Sequence, residues 1–204
     1  MPQITALEKQ RKNSARINVY LDNRFAFGLT QDLVNQFGLA IGLELSEKRI
    51  ADLKEKAKLE TFLTKVYHYL SYRPRSEREV DNYLDQKGVK EPMRVKIVDY
   101  LKERNFLNDE EFAKWWLEQR NRFRPRSRFA LKIELVQKGI SEEIISRVLS
   151  GIDEQRLVKE LIARKQFGME GSDLGKSREK LIGYLKRRGF SWQVIKAGLE
   201  EFDF

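Results

Sequence analysis

Apolar side chains recur along most of the chain at steps of three and four residues, the spacing of one face of an α-helix. Three such runs are Phe62, Val66, Tyr69 and Leu70; Phe112, Trp115 and Trp116; and Leu157, Leu161 and Ile162. Residues 16–27 follow another pattern, because apolar and polar residues alternate from Ile17 to Leu21 and Asp22-Asn23 then supplies a turn. The pattern predicts a mainly α-helical protein with a small two-stranded β-hairpin near its N-terminus.

Two helices are predicted between the hairpin and the first apolar run. One starts after Thr30 and ends near Gly38, and the other runs from the N-cap Ser46 through Lys58. An isolated hairpin is only marginally stable in water, so it should pack against these helices.

A repeat of about fifty residues is the strongest signal in the sequence. The tetrapeptide RPRS at 73–76 recurs at 124–127, and both copies end in a basic residue, glycine and an apolar residue, at 87–89 and 138–140. Ser177 and the sequence RGF at 188–190 mark a third copy. Each copy predicts three helices, and its second helix should run from the serine N-cap to the glycine. The third helices are predicted at 91–104, 141–150 and 191–202.

The repeat defines the predicted organisation of the chain. Residues 1–57 form the hairpin and helical extension, and three-helix copies occupy 58–107, 108–152 and 153–204. These ranges are called copy one, copy two and copy three below. Tandem copies of this kind stack on their neighbours, which predicts an elongated array.

The second helix of copy two differs from its counterparts. All three helices carry an i, i+4 apolar pair that should form the core of each copy: Val80 and Leu84, Leu131 and Leu135, Leu181 and Leu185. Copy two adds Phe129, Ile133 and Val136 on another face. Packing against neighbouring copies is the favoured interpretation of this second stripe, and an exposed partner-binding surface is the alternative.

The charge of the chain favours a polyanionic partner, with nucleic acid first. Lys and Arg number 40 against 31 Asp and Glu, a net charge of +9. The excess is concentrated in 120–138, with seven basic residues and one acidic, and in 176–188, with six and one. The residues predicted to bind phosphate are Arg120, Arg122, Arg124, Arg126, Ser127, Arg128, Lys132, Lys138, Lys176, Ser177, Arg178, Lys186, Arg187 and Arg188.

A specific anion site is predicted at each of two helix N-termini. Arginine or lysine residues flank Ser127 and Ser177, where free backbone N–H groups should point outward. The alternative is a solvated run of charge with no ligand.

Little in the sequence suggests catalysis. The single histidine, His68, lies in a helical run without partner groups, the chain has no cysteine, and no glycine-rich phosphate loop is present. No enzyme activity, metal or other cofactor is predicted. Trp115 and Trp116 could offer a stacking platform, but core packing is favoured for at least one, and the other could contact a partner. No segment has the apolar length of a membrane span, so the expected location is cytoplasmic.

Two motifs resemble those of the RecX family, bacterial regulators of the RecA recombinase. They are FLNDEEFA at 106–113 and ELVQKGI at 134–140, which follows a basic stretch. The resemblance implies a non-enzymatic regulator, acting in homologous recombination, DNA repair and the SOS response. Such a protein binds the RecA–DNA filament and depresses ATP hydrolysis and strand exchange, or destabilises the filament.

The resemblance and the charge pattern together predict a division of roles. Copies two and three should supply the cationic contacts, with weak non-specific binding to single- and double-stranded DNA, and the protein should be a monomer. The alternative is a free-standing helix-turn-helix-like protein that binds nucleic acid without RecA. A scaffold with incidental positive charge is a third possibility.

Overall fold

The structure is a computed structural model, and it describes residues 1–11, 13–166 and 174–202, with side chains for all of these except 166 and 174–176. The chain forms two compact units. The first contains Met1–Arg73 and Leu84–Asp99, and the second contains Pro74–Tyr83 and Tyr100–Phe204.

A three-stranded antiparallel sheet begins the first unit, in the order β1 (Ile4–Gln10), β2 (Asn13–Leu21) and β3 (Arg24–Thr30). Ile17 pairs with Leu29 across β2 and β3, and both side chains are buried. Asp22 and Asn23 form the turn with φ of 47° and 62°, as a two-residue hairpin requires. The predicted hairpin is confirmed.

The additional strand, β1, was not predicted. The alternation of buried and exposed side chains along β1 is broken, because its register with β2 shifts between Ile4 and Ala6 and again after Lys9. Of its residues only Ile4 is fully buried. A strand with so few buried positions carries no clear period-two signal.

Two helices pack against the sheet in the first unit. Helix α1 (Gln31–Gln36) begins directly after Thr30, as predicted, and the Thr30 hydroxyl caps it by accepting a hydrogen bond from the Leu33 N–H at 3.3 Å. Helix α2 (Glu47–Ser71) begins at the predicted N-cap Ser46 and continues for 25 residues. The prediction of separate helices on either side of position 58 is therefore wrong. No glycine or proline interrupts 47–71, so nothing stops the helix there.

Eight further helices follow in the described part of the chain. Together with the C-terminal part of α2, which is the first helix of copy one, they confirm three tandem three-helix copies. They are α3 (Glu77–Gln86), α4 (Met93–Glu103), α5 (Asp109–Phe123), α6 (Arg128–Gln137), α7 (Glu142–Leu149), α8 (Glu154–Gln166), α9 (Leu174–Arg187) and α10 (Trp192–Leu199). Copy two has its own core around Leu131 and Leu135, and copy three has one around Leu181 and Leu185. The predicted core pairs are thus buried.

The start of α9 differs from the prediction. Ser127 is the N-cap of α6, but Ser177 lies inside α9, which begins three residues earlier at Leu174. Pro125 precedes Ser127 by two residues and excludes Arg124 from the helical region, and Arg124 accordingly has φ −147° and ψ 70°. Copy three has Gly175 at the equivalent position, so the helix extends upstream.

No helix in the described ranges has the length and apolar character needed to cross a membrane.

Candidate interaction surface

The first turn of α6 packs against the end of α9. Ser127 is 1% exposed, and its backbone N–H donates to the Arg188 carbonyl at 3.0 Å. A Cβ atom at Gly189 would lie 2.6 Å from the Ser127 hydroxyl oxygen, closer than real contacts allow. The positive N-terminal end of the α6 dipole meets the negative C-terminal end of the α9 dipole at this contact, an arrangement that is electrostatically favourable. This contact is called the α6–α9 junction below.

An equivalent contact, the α3–α6 junction, lies one copy earlier. The Ser76 hydroxyl donates to the Lys138 carbonyl at 2.7 Å and accepts from the Glu79 N–H at 3.2 Å. A Cβ atom at Gly139 would lie 2.7 Å from Cβ of Arg78. Ser76, Ser127, Gly139 and Gly189 therefore lie where the second helix of one copy meets that of the next.

The α6–α9 junction lies at the helix end where a phosphate site was predicted around Ser127. The Arg128 N–H donates to a Glu154 carboxylate oxygen at 2.7 Å, and the Ala130 N–H donates to the Ser127 hydroxyl at 3.1 Å. The Arg128 guanidinium binds the Ile152 carbonyl just after α7. These groups already have partners within the protein, so this helix end is a structural contact. At the second predicted site, Ser177 lies inside α9 and does not begin the helix.

Glu134 organises the basic residues around α6, a role that the sequence analysis missed. Its carboxylate accepts from Trp116 Nε1 at 2.7 Å and Arg120 Nε at 2.8 Å, and it pairs with Arg126 Nη1 at 3.1 Å. The side chain is only 12% exposed. Its position as the single acid among seven basic residues in 120–138 was the available signal.

The two tryptophans belong to the edge of the copy two core. Trp115 and Trp116 are both partly buried, with ring centres 5.9 Å from that of Phe112. The guanidinium of Arg120 and the ammonium of Lys138 also lie 4.6 Å and 4.9 Å from the Trp116 ring centre. Core packing, the favoured interpretation, is what the structure shows for both residues.

The predicted basic residues divide into two groups. Besides those already described, Lys132 pairs with Glu142, Lys138 Nζ pairs with Glu79 at 2.6 Å, and Arg188 donates to the Pro125 carbonyl. The exposed residues that form no ion pair with a described residue are Arg122, Arg124, Arg178, Lys186 and Arg187. The side chain of Lys176 lies outside the described ones. The second group is the one able to meet an external anion without breaking an ion pair with a described residue.

The second apolar stripe of α6 is exposed, so the favoured interpretation of packing against neighbouring copies is wrong. Phe129, Ile133 and Val136 are 68%, 43% and 47% exposed, whereas Leu131 and Leu135 on the core face are fully buried. A hollow of about 440 Å³ lies beside the stripe. Its lining includes Ile133, Trp116, Arg120, Arg126, Glu134 and Lys138. Apolar side chains of α6 thus lie beside cations that come from α5, from the segment before α6 and from the residue after it.

These features define a class of protein, a tandem three-helix-repeat protein with a candidate interaction surface on α6. Within the described ranges, no three His, Cys, Asp or Glu side chains come together in a way that could hold a metal ion.

Comparison with known sequences assigns the family. Residues 2–46 match the regulatory protein RecX N-terminal domain, 63–101 match the first three-helix domain of RecX, and 108–149 match the second. Regulatory protein RecX of Bacillus licheniformis is 33% identical over 207 residues, covering 100% of this chain and 79% of its own. That of Bacillus subtilis is 29% identical, covering 100% and 78%. The chain belongs to the RecX family of regulatory proteins.

Solved structures agree with this fold. A crystal structure of regulatory protein RecX aligns with a TM-score of 0.75 at 24% identity, over 98% of this chain and 100% of that one. RecX from Lactobacillus salivarius aligns with a TM-score of 0.60 at 20% identity, over 70% and 95%.

Proposed function

We propose that this protein is a non-enzymatic regulator that binds the RecA–DNA filament and inhibits RecA, with α6 as the part that contacts RecA. Membership of the RecX family supports a role in RecA regulation. The observation that carries the assignment to α6 is the exposed stripe of Phe129, Ile133 and Val136.

An exposed stripe at i, i+4 and i+7 is the pattern by which a helix docks into an apolar groove of a partner. The stripe belongs to a helix whose opposite face is anchored in the core by Leu131 and Leu135. A rigid helix loses little conformational entropy on binding, so its exposed side chains are suitable anchors. The aromatic Phe129, the most exposed of the three, is the expected main contributor.

Cations elsewhere in copy two suit a filament that carries both protein and phosphate. Arg122 and Arg124 are exposed at the end of α5, and neither forms an ion pair with a described residue. By contrast, Arg126 and Arg128 are engaged by Glu134 and by the Ile152 carbonyl. Arg122 and Arg124 are therefore the better targets for testing electrostatic contact, since neither substitution breaks an ion pair with a described residue.

The test is ATP hydrolysis by RecA on single-stranded DNA, titrated with this protein at near-physiological salt. The native chain should suppress hydrolysis well below one molecule per RecA, including in a parallel series with excess DNA. Phe129→Ala combined with Ile133→Ala should raise the inhibitory concentration about tenfold or more, because each removes an apolar anchor. Phe25→Ala, also exposed but in β3, is the matched control and should act as the native chain does.

The outcomes separate the alternatives. Equal inhibition by the stripe variant and the native chain would remove α6 as the RecA contact. Absence of inhibition by the native chain, together with tight binding to bare duplex DNA, would favour the free-standing nucleic-acid-binding protein. If the native chain neither inhibits RecA nor binds bare DNA, the remaining possibility is a scaffold with incidental positive charge.

A further inference from the structure

A second basic surface lies in a groove between the end of α5, α8 and α9, and none of its lining residues belongs to the α6 stripe. The groove has a volume of about 270 Å³. Its charged lining residues are all basic, namely Arg122, Arg164, Lys165 and Arg188, and they are joined by the aromatic rings of Phe123 and Tyr184. Arg164, Lys165 and both rings were not singled out from the sequence. Since α8 and α9 come from copy three and α5 from copy two, only the fold brings them together.

Two of the four cations are held in place on one ring. Arg188 Nη1 donates to the Pro125 carbonyl at 2.7 Å, and its guanidinium carbon lies 4.5 Å from the ring centre of Tyr184. Lys165 Nζ lies 5.1 Å from the same ring centre. These contacts order the cations but do not neutralise them, so the groove keeps its positive charge.

The other two cations leave the groove open to an anion. Arg122 and Arg164 are exposed and form no ion pair with a described residue. Like charges gathered in one groove repel each other and raise the local concentration of an anionic ligand. A phosphate is the anion for which arginine forks have the best geometry.

Phe123 adds a feature that a simple anion site would not need. Its side chain is 66% exposed at the edge of the groove, and the guanidinium carbon of Arg122 lies 5.3 Å from its ring centre. An exposed aromatic ring beside phosphate-binding cations is the combination with which proteins hold single-stranded nucleic acid. The ring face becomes useful when a base is unpaired, since the bases of a duplex already stack on each other.

We propose that this groove binds single-stranded DNA directly, with a backbone phosphate among its four cations and an adjoining base stacked on Phe123. The inference rests on the proposed function, because it names the part of the filament that the groove contacts. Because DNA binding by the groove needs no RecA, the groove proposal and the proposed inhibition of RecA can fail separately. An acidic protein segment is the competing ligand, and it would gain nothing specific from Phe123.

The first experiment measures binding of a fluorescently labelled oligothymidylate by anisotropy, with RecA absent. The groove variant is Arg164→Glu with Lys165→Glu, and the matched control is Lys54→Glu with Lys58→Glu on α2. All four side chains are exposed, so the folded structure should be retained, which circular dichroism checks. The groove variant should bind much more weakly, and the slope of log affinity against log salt should fall by about 0.7 for each phosphate that the variant no longer binds.

The second experiment isolates the stacking contact. Phe123→Ala should weaken binding to oligothymidylate by about fivefold or more. The same variant should bind an abasic oligonucleotide of equal length as the native chain does, because that ligand has phosphates and no bases. Phe25→Ala is the matched control, since this phenylalanine is also exposed, at 59%, but lies in β3.

Three results would overturn the inference. Equal weakening by the groove and control charge reversals would show only a general electrostatic field. Equal weakening on normal and abasic DNA with Phe123→Ala would remove the stacking. Competition by polyglutamate as strong as that by oligothymidylate of equal charge would point to an acidic protein partner. Each of these could occur while the α6 stripe still inhibits RecA.

Discussion

Gly189 lies just after α9 and contributes to the α6–α9 junction in two ways. It adopts a left-handed backbone conformation, and it leaves room for the close approach of α6. Gly189→Ala should lose both contributions. Its φ of +88° lies in the left-handed region, where alanine costs about 1–2 kcal/mol relative to its preferred conformation. The new Cβ atom would also lie 2.6 Å from the Ser127 hydroxyl oxygen and 2.9 Å from Cβ of Ala130. Relieving such overpacking typically costs a further 1–3 kcal/mol.

The repeat supplies matched controls at the equivalent positions. Gly88 ends α3 with φ of +75°, and no described atom lies within 4 Å of a Cβ placed there. Gly139 ends α6 with φ of +85°, and Cβ of Arg78 would lie at 2.7 Å. Gly88→Ala should therefore cost about 1–2 kcal/mol, from the backbone alone. Gly139→Ala and Gly189→Ala should each cost about 2–5 kcal/mol.

Urea unfolding followed by far-ultraviolet circular dichroism gives the free energy of unfolding of each variant. Hydrogen exchange adds a local measurement, because the Ser127 N–H is bonded to the Arg188 carbonyl across the junction. This amide should exchange faster in Gly189→Ala and should be unchanged in Gly88→Ala. If Gly189→Ala and Gly88→Ala have the same stability and leave the Ser127 amide equally protected, the junction has no energetic importance and the reasoning is refuted.

Two more predictions concern ionisable groups in the second unit. Glu134→Ala should lower the free energy of unfolding by about 1–3 kcal/mol, since it leaves the Trp116 Nε1–H and two arginines without their acceptor. Glu142→Ala removes an exposed pair and should cost less than about 1 kcal/mol, and equal losses in urea unfolding would contradict the role given to Glu134. Burial raises the pKa of Asp109, despite the hydrogen bond from the Glu77 N–H. The ionised form of Asp109 is therefore less favourable in the folded protein than in the unfolded chain. This lowers the folding stability at pH values above the raised pKa and has no effect at pH values below the ordinary pKa of an aspartate. Asparagine avoids this penalty, so the stability of Asp109→Asn relative to the native chain should increase from pH 3 to pH 7, and a decrease would refute the assignment.

Local features of the fold were predictable because their signals lie within a few residues. The N-caps Thr30, Ser46 and Ser127 and the turn at Asp22-Asn23 are short-range interactions, and the structure confirms them. The errors arose where a local signal was weak or absent. Helix α2 passes position 58 because no residue stops it, and α9 starts early because copy three lacks the proline of its counterparts.

The candidate surfaces were predictable only in part. The sequence identified the stripe of Phe129, Ile133 and Val136, since its members share one helix, but could not determine whether a neighbouring copy covers it. It also identified the basic run at 120–138 without showing which cations are already paired. An ion pair such as that of Arg126 with Glu134 depends on how α6 is rotated and packed, and residue counts contain no such information.

The sequence by itself determined the helical repeat, the core of each copy and the excess of positive charge, because periodicity, capping and composition are properties of the chain. Tertiary structure decided the roles of individual residues. It buried Ser127 against Arg188 and brought Arg122 of copy two beside Arg164 of copy three. Contacts between copies depend on helix packing in three dimensions, so they distinguish residues that look alike in the sequence.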